Sequence, residues 1–556
     1  MASTTASPLP LRSLLAFLFL FVRVAVVAGD NDHDAAVQLV PRQDLHALKD
    51  CLAKAGARAI YPDSDADAGA DGSAGSAGDG GGNGSPAAGF PRSQNTNYHY
   101  TPAVVVQPTS AQEVAAVVQA VAQCAGAGFR LSSFGGGHGY ASYALGGHDG
   151  YVIIDSSGMK KIHLDPVKKI VTADMGVRIG PLAQEIGKKG FGLPHGTCPS
   201  VGLAGHSLSG GWGFSSRKWG WLMDHVVSLV YVDAEGKIKE VSQASKGPDA
   251  EIWWAMRGAG ANNFGVVTSF ALSVVDAPAK AVNYKTIFKT NDDCAAALLS
   301  LQELGSKAAS LPPELGAQLL IYGEGSPGDP GAGSFSGQYL GPQSQFQPVQ
   351  QRMLQSLKAH GVNTQAADWN VTEKTGWVET LTDLMGNLDA PPDVVPYYAQ
   401  SLMDDGSPGY TQESAQRIVK AIQATVKVED TSTSLSFDLN GPGAATNSPD
   451  PYGDSSLGAA GHRKALFLSQ LYNYGTPGFD KPQAQKRVFD AMDGVSSAVR
   501  AAKPGARWGS YVNYIDPRLQ DFGRAYYGPG LERLKSIKKQ VDPKTIFDFP
   551  QGLAHA

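Results

Sequence analysis

The chain has 556 residues, 42% hydrophobic and 17% charged. That is enough for more than one buried core, and it argues against a disordered chain. Its formal net charge of −5, with basic residues no denser than pairs such as Lys160-Lys161 and Lys538-Lys539, argues against a nucleic-acid partner. In chain order, Arg12 followed by an unbroken apolar run over 14–22 and by Val26-Val27-Ala28 reads as a secretory signal over residues 1–29. The run is short for a membrane span, and Arg23 interrupts it, so a secreted, extracellular protein without a membrane anchor is expected. Residues 30–97 form an N-terminal segment with a short amphipathic helix over 41–60. A Gly/Ala/Ser/Asp-rich linker over 63–89 is too polar to order. From residue 98 to 278 strands at 103–106, 129–132, 151–154, 169–172, 226–232 and 266–272 alternate with helices at 111–127 and 179–189. Ser110 is the N-cap of the first helix, and the pattern predicts an α/β region. Residues 279–504 mix helical runs at 292–304 and 344–360 with strand-like runs at 318–322 and 433–439, an α+β lobe. Asn370-Val371-Thr372 is an N-glycosylation sequon; Asn83-Gly84-Ser85 is a second, weakened by Pro86.

Two segments carry the chemistry. Gly135-Gly136-Gly137-His138 and Gly196-Thr197-Cys198-Pro199-Ser200-Val201-Gly202 each set one nucleophilic side chain in glycine-rich backbone, which can pass close to a flat cofactor. The second runs on through Gly205, His206, Gly210 and Gly211, a stretch whose backbone N–H groups can cradle a pyrophosphate. His206 reads as a structural hydrogen-bonding residue. Gly205-His206-Ser207-Leu208-Ser209 is not a hydrolase elbow, which needs glycine in fifth place. A Rossmann fingerprint is absent, because Gly258-Ala259-Gly260-Ala261-Asn262-Asn263 lacks its last glycine. Tyr511-Val512-Asn513-Tyr514-Ile515-Asp516 offers two tyrosines. A phenol that acts as base near neutral pH needs its pKa lowered by a neighbour. Asp438, in the apolar run Ser436-Phe437-Asp438-Leu439, is a costly residue to bury unless it is paired. No metal is expected.

These motifs, in this order over residues 90–556, resemble the berberine bridge enzyme-like flavoproteins, and among them the fungal secreted oligosaccharide oxidases. The resemblance implies a two-part FAD-binding domain of the vanillyl-alcohol-oxidase type over 98–278, an α+β substrate domain with an antiparallel sheet over 279–504, and a C-terminal segment, 505–556, that returns to the first domain. It implies FAD bound through two covalent links, His138 to the 8α-methyl and Cys198 to C6. Arg257 to Gly265 matches a further family segment, so Gly265 and Val266 join Tyr511 and Asn513 as expected cofactor contacts. It makes Tyr514 the catalytic base, paired with Asp438. Tyr140 becomes an aromatic beside the flavin, and Val201 a residue that admits oxygen. With Cys198 bound to flavin, Cys51 and Cys124 are the expected disulfide, each in a helix-patterned segment, and Cys294 is left free and buried. The activity implied is oxidation of the C1 hydroxyl of a reducing sugar to the lactone, with O₂ reduced to H₂O₂, in a monomer. Alternatives are oxidation or ring closure of a secondary metabolite, a dehydrogenase with another acceptor, and a flavin-carrying protein without turnover. Two positions depart from the sugar oxidases. Ser434 and Ser436 stand where a Trp and a Gln that bind sugar are expected.

Overall fold

The computed structural model describes residues 42–62, 89–124, 128–307, 310–328, 330–404, 408–441 and 461–556. The expected signal peptide, the linker up to residue 88 and the sequon at Asn83 lie outside the described residues.

Runs of β-branched residues at 104–106 and 152–154, fully buried, form the central strands of the first sheet. It contains β1 (Ala59–Ile60), β2 (Val104–Val106), β3 (Leu131–Phe134) and β4 (Val152–Asp155) in the order β1-β2-β4-β3. Strands β2, β4 and β3 are parallel. The crossover is helix Ala111–Cys124, whose first turn is capped by Ser110 Oγ accepting from the Glu113 N–H at 3.2 Å. Helix Arg42–Lys54 packs on it. This sets the Cys51 helix against the Cys124 helix; the Cys124 side chain is outside the described residues. Cys198 and Cys294 are free, the first exposed and the second buried.

The α/β alternation stops there. Strands β5 (Ile162–Asp165) and β6 (Ile170–Asp174) come next, followed by the two-residue β7 (Phe191–Gly192). Then come β8 (Val226–Val232), β9 (Ile238–Ser242) and β10 (Val266–Ser273), and a second short strand, β11 (Val275–Asp276), which pairs with β7. The order β5-β6-β10-β8-β9 is antiparallel throughout, which corrects the α/β expectation over this stretch. The reason is connection length. Turns of a few residues join β5 to β6 and β8 to β9, and a parallel pair needs a crossover of a dozen or more. Strand β5 had no sequence signal, since its residues are half-buried or exposed.

The third sheet has seven antiparallel strands: β12 (Lys280–Phe288), β13 (Leu315–Ile321), β14 (Gly333–Tyr339), β15 (Asn370–Thr375), β16 (Tyr397–Met403), β17 (Ser432–Leu439) and β18 (Phe467–Tyr474). Their order is β15-β12-β14-β13-β17-β18-β16. Alternation decides its two faces. Leu435, Phe437 and Leu439 belong to the largest core, with helices Asn291–Ser306 and Gln412–Thr425 packed against it. Ser434, Ser436 and Asp438 take the other face.

The C-terminal stretch returns to the first sheet. The Leu131 N–H donates to the Ile546 carbonyl at 2.7 Å, and Leu131 bridges Phe547. The ammonium of Lys538, 3% exposed, donates to the carbonyls of Asn263 and Phe547 and to Asp542. This ties helix Leu531–Val541 to the segment around Asn263. Among the described residues no helix is long and apolar enough to cross a membrane.

Candidate functional site

The two glycine loops meet backbone to backbone. A Cβ on Gly136 would lie 2.2 Å from the Gly202 nitrogen, and one on Gly202 would lie 2.4 Å from the Gly136 nitrogen. Gly137 has φ +74, a left-handed conformation that favours glycine. Gly139 and Gly205 differ from these, since nothing would touch a Cβ there. Both line a cavity of about 740 Å³, within the range of small-molecule sites. A flat ring system can therefore lie against bare backbone. His138 sits at the end of the first loop with Nε2 2.9 Å from Ser200 Oγ, and Cys198 Sγ is 3.5 Å from the same oxygen. Burial, helped by the charge of Arg178, lowers the His138 pKa to about 4, so the imidazole is neutral and its lone pair available. His206 is hydrogen-bonded within the fold. Its Nε2 accepts the Gly196 N–H at 3.0 Å and holds the second loop, while burial, then His195 and His138, lower its pKa to about 3.

The structure brings most of the expected residues to one cavity. Gly135, Gly136, Gly137, His138, Tyr140, Cys198, Val201, Gly202, Gly205, His206, Gly265, Asp438, Tyr511, Asn513 and Tyr514 all line it. Gly210, Gly211 and Val266 do not. The Gly211 N–H donates to the Tyr511 hydroxyl behind the wall, and a Cβ on Gly210 would strike the Tyr511 and Trp221 rings. Val266 points into the core under the first sheet. Its neighbours along the strand take the cavity side, because strand side chains alternate.

The two tyrosines separate cleanly. The Tyr511 oxygen accepts N–H groups from Gly211 at 2.8 Å, Trp212 at 3.2 Å and Asn513 at 3.0 Å, so its lone pairs are committed to the fold. The Tyr514 ring stacks on Tyr140, centroids 5.3 Å apart and planes at 7°, with Tyr511 edge-on at 5.0 Å. The expected pair of Asp438 with Tyr514 is not hydrogen-bonded. Asp438 instead accepts from Gln318 Nε2 at 2.7 Å and lies 3.5 Å from Ser436 Oγ. The lowered phenol pKa expected for a base is absent too. Burial, then Tyr140 and Asp438, hold the Tyr514 phenol well above its ordinary value. Burial also raises the Asp438 carboxyl to about 7, against the pull of Gln318 and Ser436.

Some residues had no clear sequence signal. Gln318 lies opposite Asp438 in β13, a pairing set by sheet register. Gln470 bonds the Tyr140 hydroxyl, a contact between residues 330 apart in the chain. Tyr397 and Tyr472 stack at 4.9 Å on the cavity wall, and the Tyr397 hydroxyl is a buried group without a partner. Trp212 also lines the cavity, and its Nε1 is a second buried group without a partner. Ser434 and Ser436 face Tyr472 and Gln470 across the β17–β18 ladder, so short side chains leave those longer ones uncovered.

The residues present fit a flavin. Gly136 and Gly202 bring the two loops together, Gly139 and Gly205 leave open space where a side chain would stand, and a thiol and a neutral imidazole are set beside it. Comparison with known proteins agrees. Residues 102–242 match the family model described as FAD binding domain, and residues 510–554 the model described as Berberine and berberine like. The chain is 30% identical over 474 residues to a xylooligosaccharide oxidase of Thermothelomyces thermophilus, covering 83% of this chain and 89% of the relative. It is 30% identical over 469 residues to a chitooligosaccharide oxidase of Gibberella zeae, covering 83% and 88%. A glucooligosaccharide oxidase structure from Acremonium strictum, described by its 6-S-cysteinyl, 8α-N1-histidyl FAD, superposes with a TM-score of 0.76. The two are 25% identical, over 92% of this chain and 99% of that one.

Proposed function

This chain belongs to the berberine bridge enzyme-like family of FAD-linked oxidoreductases, and from that premise we propose that it is a secreted carbohydrate oxidase. It would convert the C1 hydroxyl of a reducing sugar to the lactone, with O₂ reduced to H₂O₂. The observation that carries the sugar over an apolar metabolite is the wall opposite the cradle. There the third sheet turns Asn283, Gln318, Ser336, Asp438 and Gln470 into the cavity, a row of hydrogen-bonding groups suited to a polyhydroxylated ligand. Residues 98–278 then hold the cofactor and residues 279–504 the sugar.

FAD supplies the two-electron acceptor, linked through His138 and Cys198. That double link is supported by the pair's placement in the cradle and by the similarly described oxidase. The protein's own part is to place the sugar and manage one proton. Tyr514 is the base at C1, because Tyr511 has its oxygen committed elsewhere. In the protein alone the Tyr514 phenol stays protonated, so it can take the substrate proton only as its own moves on. Asp438 is poised near neutral pH to hold or release a proton, and its field acts on Tyr514. Val201 lines the cavity beside Cys198, the place expected for oxygen access.

The test is a peroxide assay across cello-, xylo- and chito-oligosaccharides, with anaerobic bleaching of the bound flavin by the same sugars. Peroxide from at least one series is expected. A flavin that no sugar bleaches would sink the reading.

A further inference from the structure

Ser200 lies between the two side chains expected to bond flavin. It is 3% exposed, although Cys198, two residues earlier, is exposed. Its hydroxyl is 2.9 Å from His138 Nε2 and 3.5 Å from Cys198 Sγ, so one oxygen serves both nucleophiles. A serine hydroxyl has one proton to give and two lone pairs to accept with. The chain of bonds can therefore run in either of two directions. In one, His138 Nε2–H donates to Oγ and the serine O–H points at sulfur. This leaves Nδ1 with a bare lone pair, and the sulfur receives a hydrogen bond. In the other, the thiol donates to Oγ, the serine donates to Nε2, and the imidazole proton sits on Nδ1 and blocks it. Which ring nitrogen of a neutral imidazole is free is set by the bond that the other makes.

We propose that Ser200 is a positioning residue for both covalent links, its hydroxyl fixing the His138 tautomer with Nδ1 free while donating to the Cys198 sulfur. The inference rests on the reading of a doubly linked flavin. Each link would replace one flavin C–H, at the 8α-methyl or at C6, and the N–H or S–H of the residue by a single C–N or C–S bond. Two protons are released, and two electrons are taken by the flavin and passed on to the O₂ of the proposed activity. Only Pro199 separates Cys198 from Ser200, so the sulfur contact is local. The histidine contact crosses between loops 62 residues apart and needs the close glycine approach of Gly136 and Gly202. One buried hydroxyl thus connects the geometry of the two loops to the reactivity of both nucleophiles.

The test separates positioning from simple loop support. Covalent FAD is the flavin that stays with acid-precipitated protein, and total FAD is counted from the absorbance of the intact holoprotein. In a Cys198→Ala background, where only the histidyl link can form, Ser200→Ala should lower the covalent fraction about tenfold, the worth of one hydrogen bond, at unchanged total FAD. In a His138→Ala background Ser200→Ala should lower the cysteinyl fraction as well. Ser200→Thr should restore both. Ser200→Val, which has the shape of threonine without the hydroxyl, should behave like Ser200→Ala, and serves if the alanine variant does not fold. Equal covalent fractions in the Thr and Val proteins would overturn the proposal, and so would a loss of total FAD in step with covalent FAD. Failure of the Cys198→Ala protein itself to hold covalent flavin would instead refute the double-link reading.

Discussion

The cavity has two walls made in opposite ways. The cradle is made by omission: Gly136 and Gly202 pass with backbone atoms where side chains would be, and Gly139 and Gly205 leave open space. The facing sheet is made by addition: each strand projects alternate side chains, and any one can change without moving its neighbours' backbone. A wall of backbone fixes what is bound against it, whereas a wall of side chains can be rewritten one residue at a time. Ser434 and Ser436, the positions where the sequence reading expects a departure from the sugar oxidases, lie in the third sheet opposite Tyr472 and Gln470, which do line the cavity.

The largest effect should come from the cradle. Gly136→Ala puts a Cβ against backbone atoms of Gly202 that no rotamer change can relieve, so a cost on the order of 3–5 kcal/mol is expected. The purified protein should carry no FAD and melt well below wild type. Normal flavin content would erase the contrast between the walls. Tyr514→Phe tests the other side. It keeps the ring stacked on Tyr140 and removes only the oxygen, so flavin should load normally while anaerobic reduction by substrate slows about 10²–10⁴-fold. An unchanged reduction rate would move the base elsewhere.

The smallest effect is on stability. Asp438 titrates at about 7 when folded and near 3.8 when unfolded, so between about pH 4 and 7 the folded state holds a proton that the unfolded state has lost. This group therefore lowers stability as pH rises through that window, and by a constant amount above it. Asp438→Asn should raise the melting temperature by several degrees at pH 8 and leave it nearly unchanged at pH 4. A gain of equal size at both pH values would mean that Asp438 does not carry the raised pKa.

The same contrast explains what the sequence could show. The cradle was legible because its parts are contiguous. His138 and Cys198 each sit inside their glycines, and Tyr511 and Tyr514 share one motif. The sheet wall was not, because its contacts depend on register between distant strands. Gln318 meets Asp438 across 120 residues, and Gln470 meets Tyr140 across 330. No local pattern marks such partners. Gly210 and Gly211 misled for a related reason, since glycine spacing signals close approach without saying to what, and here the neighbours are Tyr511, Trp221 and Leu222. Ser200 reads as an ordinary loop serine until the second loop is brought alongside it.

The return of the C-terminal stretch to the first sheet also has a consequence in time. Phe549 and Tyr527 line the same cavity as His138, and Leu553 is held by the Asn263 side chain at 3.1 Å. A ribosome delivers residues in order, so the histidine loop emerges about four hundred residues before the wall that completes its pocket. At about 5–20 residues per second that interval is on the order of half a minute. During it the nascent chain exposes two glycine loops and an unfinished sheet. The pocket is therefore complete only after the C-terminal stretch has docked, and a ribosome stalled near residue 500 should hold a protein that takes up no flavin, as read by flavin fluorescence of the isolated nascent-chain complex.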